Sequence, residues 1–370
     1  MTPDPLPHAP GRPESTVDVE PARRLLRRYL SLLQARGRAS ADVLAAFALL
    51  AARLGHRSTA ASLTRLALRD EAPADHRVAW LLHRLAAHCL DDGVDGEDAG
   101  VAAARQRAAE VLLARYRQAA EAGDVDPING AGSAGMALWE ATGEADRAEL
   151  LPSLRETAAA IVRRTRNDLY HGRSGGVLLL RLLGERYGRD AAMTAALDAV
   201  VHDYVRLEPA VLATGALGTG GVTLCSGPAG MLAAAGPQAD PAVLAAFAGA
   251  PVTRAVLDRL DEQLDDPTAD VTLCHGLAGV SLGTRLSPAW RELVGPQRQA
   301  RLAERLAAHL DRLDDAAVAA VFDTPFVRSV LERPFGVALA LAECAGPTPS
   351  WWGTAVSLPD GTPAGIGRGR

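Results

Sequence analysis

The sequence predicts an all-α protein, and three observations carry that prediction. Ala, Leu, Arg and Glu dominate most of the chain, and they favour helix because they lose little rotamer freedom there. Apolar residues recur at helical spacing. In the stretch Gln299 to Leu313, Leu302, Leu306, Leu310 and Leu313 share one face, while Arg301, Glu304, Arg305 and Asp311 fall on others. Strand alternation is missing, because the β-branched spots Val222-Thr223 and Val271-Thr272 are too short to build a sheet.

Met1 to Ser15 holds five prolines and lacks the apolar stretch of a signal peptide, so residues 1–16 are expected to form a disordered tail. The stripe Leu26, Tyr29, Leu30 and Leu33 predicts the first helix over Pro21 to Ala35, with Pro21 suited to its start. Further helices are expected at Ala41 to Leu54, Asp75 to Leu90, Val101 to Ala122, Arg147 to Arg166, Arg189 to Val205 and Val252 to Leu264. Together they predict one helical domain over 17–352, followed by a flexible tail at 353–370.

Composition narrows the function classes. Hydrophobic residues at 48% and charged residues at 22% exclude wholesale disorder. All 39 basic residues are Arg, yet the net charge is −5, which gives no reason to expect a nucleic-acid or anionic-membrane partner. Aromatic residues at 4% are too few for base-stacking platforms. No run approaches the roughly 18 apolar residues that a membrane span needs, so the expected location is the cytoplasm. Four cysteines, Cys89, Cys225, Cys274 and Cys344, do not make a disulfide framework.

The helices are punctuated by glycine-bearing segments that resemble one another. Val222-Thr-Leu-Cys-Ser-Gly-Pro-Ala-Gly230 and Val271-Thr-Leu-Cys-His-Gly-Leu-Ala-Gly279 agree at seven of nine positions. Looser relatives are Leu169-Tyr-His-Gly-Arg-Ser-Gly175, Ile128-Asn-Gly-Ala-Gly-Ser-Ala-Gly135 and Arg333-Pro-Phe-Gly336. The closing glycines at 135, 175, 230, 279 and 336 are 40, 55, 49 and 57 residues apart. A repeat of that length with two helices per unit is the mark of a solenoid or a closed helical ring. Each loop is expected to use glycine for a positive φ and for close backbone approach, turning the chain sharply into an apolar helix.

These loops also hold the residues suited to chemistry. Cys225 and Cys274 occupy equivalent positions and His275 follows directly. Two thiolates and an imidazole that converge would make a Cys2His set with one tetrahedral position open, the pattern of catalytic zinc. The competing reading is a pair of buried apolar cysteines. Cys89 and Cys344 lie in helical stretches and are read as core. His171 stands directly before Gly172 as His275 stands before Gly276, and an imidazole at a loop mouth can act as general acid or base near neutral pH. Asp126 could orient it or could simply make the turn before Pro127. The acidic run Leu264-Asp-Asp-Pro-Thr-Ala-Asp270 does not present its carboxylates on one face, because Pro267 breaks the helix.

Taken together, the loops resemble the lanthionine synthetase C-like family, the lanthipeptide cyclases. Leu273-Cys-His-Gly-Leu-Ala-Gly279 resembles the family's Cys-His-Gly loop, and Leu224-Cys-Ser-Gly-Pro-Ala-Gly230 its Trp-Cys-Tyr-Gly-x-Pro-Gly loop. Leu169-Tyr-His-Gly-Arg-Ser-Gly175 is similar to its Ala-His-Gly loop and Asp126-Pro-Ile-Asn-Gly130 to its Asp-Val-Ile-x-Gly loop. Arg333 to Leu341 looks like its last glycine-rich repeat, and Trp351-Trp352 falls near where its members end. The resemblance implies an α/α toroid, a nested double ring of helices with Zn²⁺ at one mouth, held by Cys225, Cys274 and His275. It implies addition of a Cys thiol of a dehydrated precursor peptide to dehydroalanine or dehydrobutyrine, with His171 as proton donor and Asp126 setting its orientation. Dehydration would fall to separate kinase or lyase partners. The chain departs from the family at Leu224 in place of Trp, at Ser226 in place of Tyr, and at Gly218-Thr-Gly-Gly221, where the family carries an Arg. The lost groups motivate an alternative, a non-catalytic peptide-binding or scaffolding member of a modification complex, with Arg173 the candidate to replace the missing Arg. A glycosidase or terpenoid cyclase would need paired carboxylates at helix mouths, and the sequence offers none.

Overall fold

The computed structural model describes residues 17–69, 75–90, 99–127, 129–141, 144–163, 172–187, 191–207, 222–225, 227–235 and 241–345. The expected tails at 1–16 and 353–370, Trp351-Trp352, His171 and Ser226 lie outside the described residues. Within them the chain is all-α, with no strand.

The helices are α1 (Glu20–Arg36), α2 (Ala41–Arg53), α3 (Arg57–Arg69), α4 (His76–Leu90), α5 (Ala99–Glu121) and α6 (Ala131–Ala141). Then come α7 (Glu144–Val162), α8 (Arg173–Tyr187), α9 (Ala191–Val205), α10 (Pro228–Ala235), α11 (Pro241–Gly249) and α12 (Pro251–Asp265). The last five are α13 (Leu277–Leu286), α14 (Pro288–Asp311), α15 (Asp315–Ala319), α16 (Phe326–Glu332) and α17 (Pro334–Ala345), with a 3₁₀ turn at Ala320–Asp323 after α15.

Every helix expected from periodicity is present to within a few residues. The stretch Gln299 to Leu313 falls inside the longer α14, which is two helices joined at Gly295 (φ 74°, ψ 163°). Pro296 then restarts the helix, because its fixed φ suits a first helical position. Helix α3 escaped periodicity because Ser58, Thr59, Ser62 and Thr64 dilute it. It forms because Ala60, Ala61, Leu63 and Ala67 are buried against α2 and α4, and the buried Thr64 hydroxyl returns a bond to the Ala60 carbonyl at 2.8 Å.

Packing follows an alternating order. Helix α2 packs on α4, α4 on α6, α6 on α8, α8 on α10, α10 on α13 and α13 on α17, and α17 packs back on α2. The helices between them lie against two members of this series: α3 against α2 and α4, α5 against α4 and α6, α7 against α6 and α8, and α14 against α13 and α17. The two members that meet at the ends of this series, α2 and α17, are buried along almost their whole length, as enclosure requires. In α17 every residue from Phe335 to Glu343 is buried.

The junction of α17 with α2 joins the two ends of the described chain. Tyr29 of α1 stacks on Phe47 of α2 at 4.7 Å and lies tilted against Phe335 of α17. Arg53 at the end of α2 pairs with the fully buried Glu343 at 2.5 Å. Cys89 is buried as expected. Cys344 departs from the expected apolar core: it is half-buried in the last turn of α17 and meets the Ser281 hydroxyl of α13 at 2.9 Å.

The loop glycines correct one expectation. Gly276 has φ −121° and ψ −167°, so positive φ is not what it supplies. It supplies space, since a Cβ there would lie 2.4 Å from the Asp270 carbonyl oxygen. A Cβ on Gly279 would lie 2.2 Å from the Leu273 carbonyl oxygen and 3.1 Å from Leu224 Cβ. Among the described residues, positive φ falls instead at Gly37, Gly55, Gly123 and Gly295.

Two stability tests follow. Glu343→Leu should strand the Arg53 charge at the α2–α17 junction and cost about 3–5 kcal/mol in denaturant unfolding, while Arg53→Met with Glu343→Leu should recover most of it. The second concerns His76, buried at the start of α4, with Nε2 3.0 Å from Ser133 Oγ of α6. Burial pushes its pKa down to about 4, aided by Arg77 and Arg115 and opposed by Asp75. The unfolded chain takes up this proton below about pH 6.5 and the folded chain only near 4, so this contribution is full above about 6.5 and lost as pH falls through that window. Between pH 7 and 4, His76→Gln should lose roughly 2–3 kcal/mol less stability than the wild type.

Candidate metal centre

Two loops of the repeat close on the same hydrogen bonds. In residues 270–277, Gly276 N–H donates to the Thr272 carbonyl at 3.0 Å and Leu277 N–H to the Asp270 carbonyl at 3.0 Å. The Asp270 carboxylate accepts from Thr272 N–H at 2.7 Å, and the Thr272 hydroxyl accepts from His275 N–H at 3.4 Å. In residues 124–131, Gly130 N–H donates to the Asp126 carbonyl at 3.0 Å and Ala131 N–H to the Asp124 carbonyl at 2.7 Å. The Asp124 carboxylate accepts from Asp126 N–H at 3.2 Å, and the Asp126 carboxylate accepts from Asn129 N–H at 3.0 Å. The repeat is therefore structural as well as textual: Asp126 stands where Thr272 stands, and Asn129 where His275 stands.

This closure sets the donors. Each cysteine lies two residues before its loop glycine, and backbone bonds join neighbouring loops. Cys225 N–H donates to the Cys274 carbonyl at 3.4 Å, and Cys274 N–H donates to the Leu331 carbonyl, just before α17, at 2.9 Å. The ligand atoms of Cys225, Cys274 and His275 all lie within 4.8 Å of one another. Cys274 Sγ and His275 Nε2 are 3.5 Å apart. Both sulfurs are buried, and His275 is half-buried.

The cluster could hold a metal ion. Its electrostatics favour a cation: the Cys274 thiol is held far above its ordinary range, first by its hydrogen bond with Cys225, then by burial, and further by the negative charges of Glu332 and Asp270. A bound dication would replace the shared proton and offset the neighbouring carboxylates.

The remaining candidates fare differently. Asp126 Oδ1 makes the turn by capping Asn129 N–H, the simpler of its two expected roles. His171 lies outside the described residues, although Arg173, two residues on, begins α8. Arg173 pairs with Asp203 of α9 at 2.5 Å and donates to the Val162 carbonyl of α7 at 3.1 Å, so it ties three helices together. Leu224 is fully buried against α13 beside Gly279 and Gly283. Sequence reading missed Arg77 and Asn129, which meet at 3.1 Å. Aligning the loops on Gly130 and Gly276, rather than on the closing glycines Gly135 and Gly279, would have exposed Asn129 as the counterpart of His275.

No protein-family model matches the chain, and no curated protein matches it. The family resemblance accordingly rests on the loop residues themselves.

Titration of the metal-free chain with cobalt(II) should give a thiolate-to-metal charge-transfer absorption. Cys274→Ala should abolish that absorption while leaving helical circular dichroism unchanged, because apolar packing holds the helices.

Proposed function

We propose that the chain is a zinc-dependent cyclase of the lanthionine synthetase C-like kind, joining a Cys thiol of a dehydrated precursor peptide to dehydroalanine or dehydrobutyrine. The observation that carries this reading is the convergence of Cys225, Cys274 and His275 within 4.8 Å, from loops that the resemblance marks as ligand-bearing. The packing order that runs from α2 through α17 and back to α2 supports an α/α toroid. In that reading α2, α4, α6, α8, α10, α13 and α17 are the inner helices, and α6, α8, α10 and α13 are entered through the glycine loops. Dehydration belongs to separate partner enzymes, and the cytoplasm is the place of work.

The two thiolates and the imidazole match the soft, nitrogen- and sulfur-rich donor set that zinc prefers, with a fourth position left for substrate. Bound zinc would lower the pKa of an incoming thiol so that it reacts as thiolate at neutral pH. As the sulfur bonds to the β-carbon of the dehydro residue, the alkene electron pair moves to the α-carbon as an enolate. His171, as imidazolium, gives its proton to that α-carbon. Asp126, whose Oδ1 accepts from Asn129 N–H, is the residue that would orient the imidazole. The buried Leu224 and the tethered Arg173 favour a second reading, a peptide-binding scaffold, because neither supplies the group that the family places there.

The zinc-loaded chain, given a dehydrated peptide carrying one Cys, should consume the free thiol without a change in peptide mass. His171→Ala should retain zinc and cyclise about 10²–10⁴-fold more slowly. A wild-type chain that binds the peptide and leaves its thiol free would establish the scaffold instead.

A further inference from the structure

Resting on the cyclase reading, we propose that Arg77 and Asn129 are positioning residues that hold the carboxylate of Asp126 in place at the mouth of α4 and α6. Asp75 clamps Arg77 through two parallel bonds, Nε to Oδ1 at 2.9 Å and Nη2 to Oδ2 at 2.8 Å, and its Oδ1 also accepts from Arg77 N–H at 2.9 Å. A bidentate clamp fixes the plane of a guanidinium. The plane so fixed brings Nη1 to Asn129 Oδ1 at 3.1 Å.

Asn129 is the node of the network. Its side-chain oxygen takes the bond from Arg77 of α4, its carbonyl takes one from Arg115 Nη2 of α5 at 2.9 Å, and its N–H donates to Asp126 Oδ1 at 3.0 Å. The Asp126 carboxylate is thereby referred to two helices through one residue. The tether adds to what the turn needs, since the 270–277 loop closes on the same four bonds that close 124–131. There the position of Asp126 is taken by Thr272, whose hydroxyl has one oxygen. Asp126 keeps the same turn with a carboxylate in place of a hydroxyl, and Arg77 and Arg115 hold the residue whose N–H grips that carboxylate.

Asn129 is exposed, so Asn129→Ala deletes the Arg77 acceptor while keeping the backbone bonds. On a dehydrated peptide, Asn129→Ala in the zinc-loaded chain should lower kcat about 10- to 100-fold, as loss of alignment does, with KM and zinc content unchanged. In an Asp126→Asn background the same substitution should change kcat less than about twofold, because coupled residues are not additive. Wild-type kcat in Asn129→Ala, or an undiminished loss in the Asp126→Asn background, overturns the proposal. Amide exchange tests the tether apart from catalysis. Arg77→Met should speed exchange at Asn129, Gly130 and Ala131 by about tenfold, and unchanged protection overturns the tether. A wild-type chain that does not cyclise removes the cyclase reading, and the kinetic claim with it, while the exchange result still decides whether Arg77 holds the loop.

Discussion

At Gly276 the chain folds back so closely on Asp270 and Thr272 that a single methyl group would collide with backbone, and the rest of the site depends on that closeness. The four bonds of the 270–277 loop can form only where the glycine carries no side chain. Once formed, they lead the chain directly into α13. They also fix Cys274 two residues upstream and His275 one residue upstream. The same closure at 124–131 fixes Asp126 and Asn129. One backbone solution, used more than once, sets polar positions directly before α6 and α13.

Neighbouring loops are then joined by main chain, from Cys225 to Cys274 to Leu331. Backbone bonds tolerate less displacement than long side chains do, so the two sulfurs are held in reach by the stiffest part of the structure. The chemistry of the positions differs around the helices. At the start of α4, His76, Asp75 and Arg77 are polar groups matched to partners, which is how buried polar clusters persist. At Cys225 and Cys274 two buried thiols share a hydrogen bond near the carboxylates of Glu332 and Asp270.

Burial also explains where charge is spent on architecture. Arg53 and Glu343 come from opposite ends of the chain and meet where α2 and α17 pack. Arg173 binds α8 to α7 and α9. Arg298 holds Asp261 through paired bonds between α14 and α12. In a chain whose cations are all Arg, the planar guanidinium serves repeatedly as a connector between helices.

The sequence by itself determined the helical class, most helix positions, the glycine repeat and the three candidate sulfur and nitrogen donors, because propensity, periodicity and matching loop motifs are read directly along the chain. Of the two reasons it gave for the loop glycines, close approach holds at Gly276 and Gly279 and positive φ does not. Only the tertiary structure decided that α3 is a helix, that Cys344 meets Ser281, that Arg173 is held by Asp203 and that Asn129 answers to His275. It alone brought Cys225 within reach of His275 and Arg77 within reach of Asn129. The reason is one of range: propensity and periodicity act within a few turns of chain, whereas these pairings join residues far apart in sequence and exist only once apolar helices have packed and fixed the loops between them.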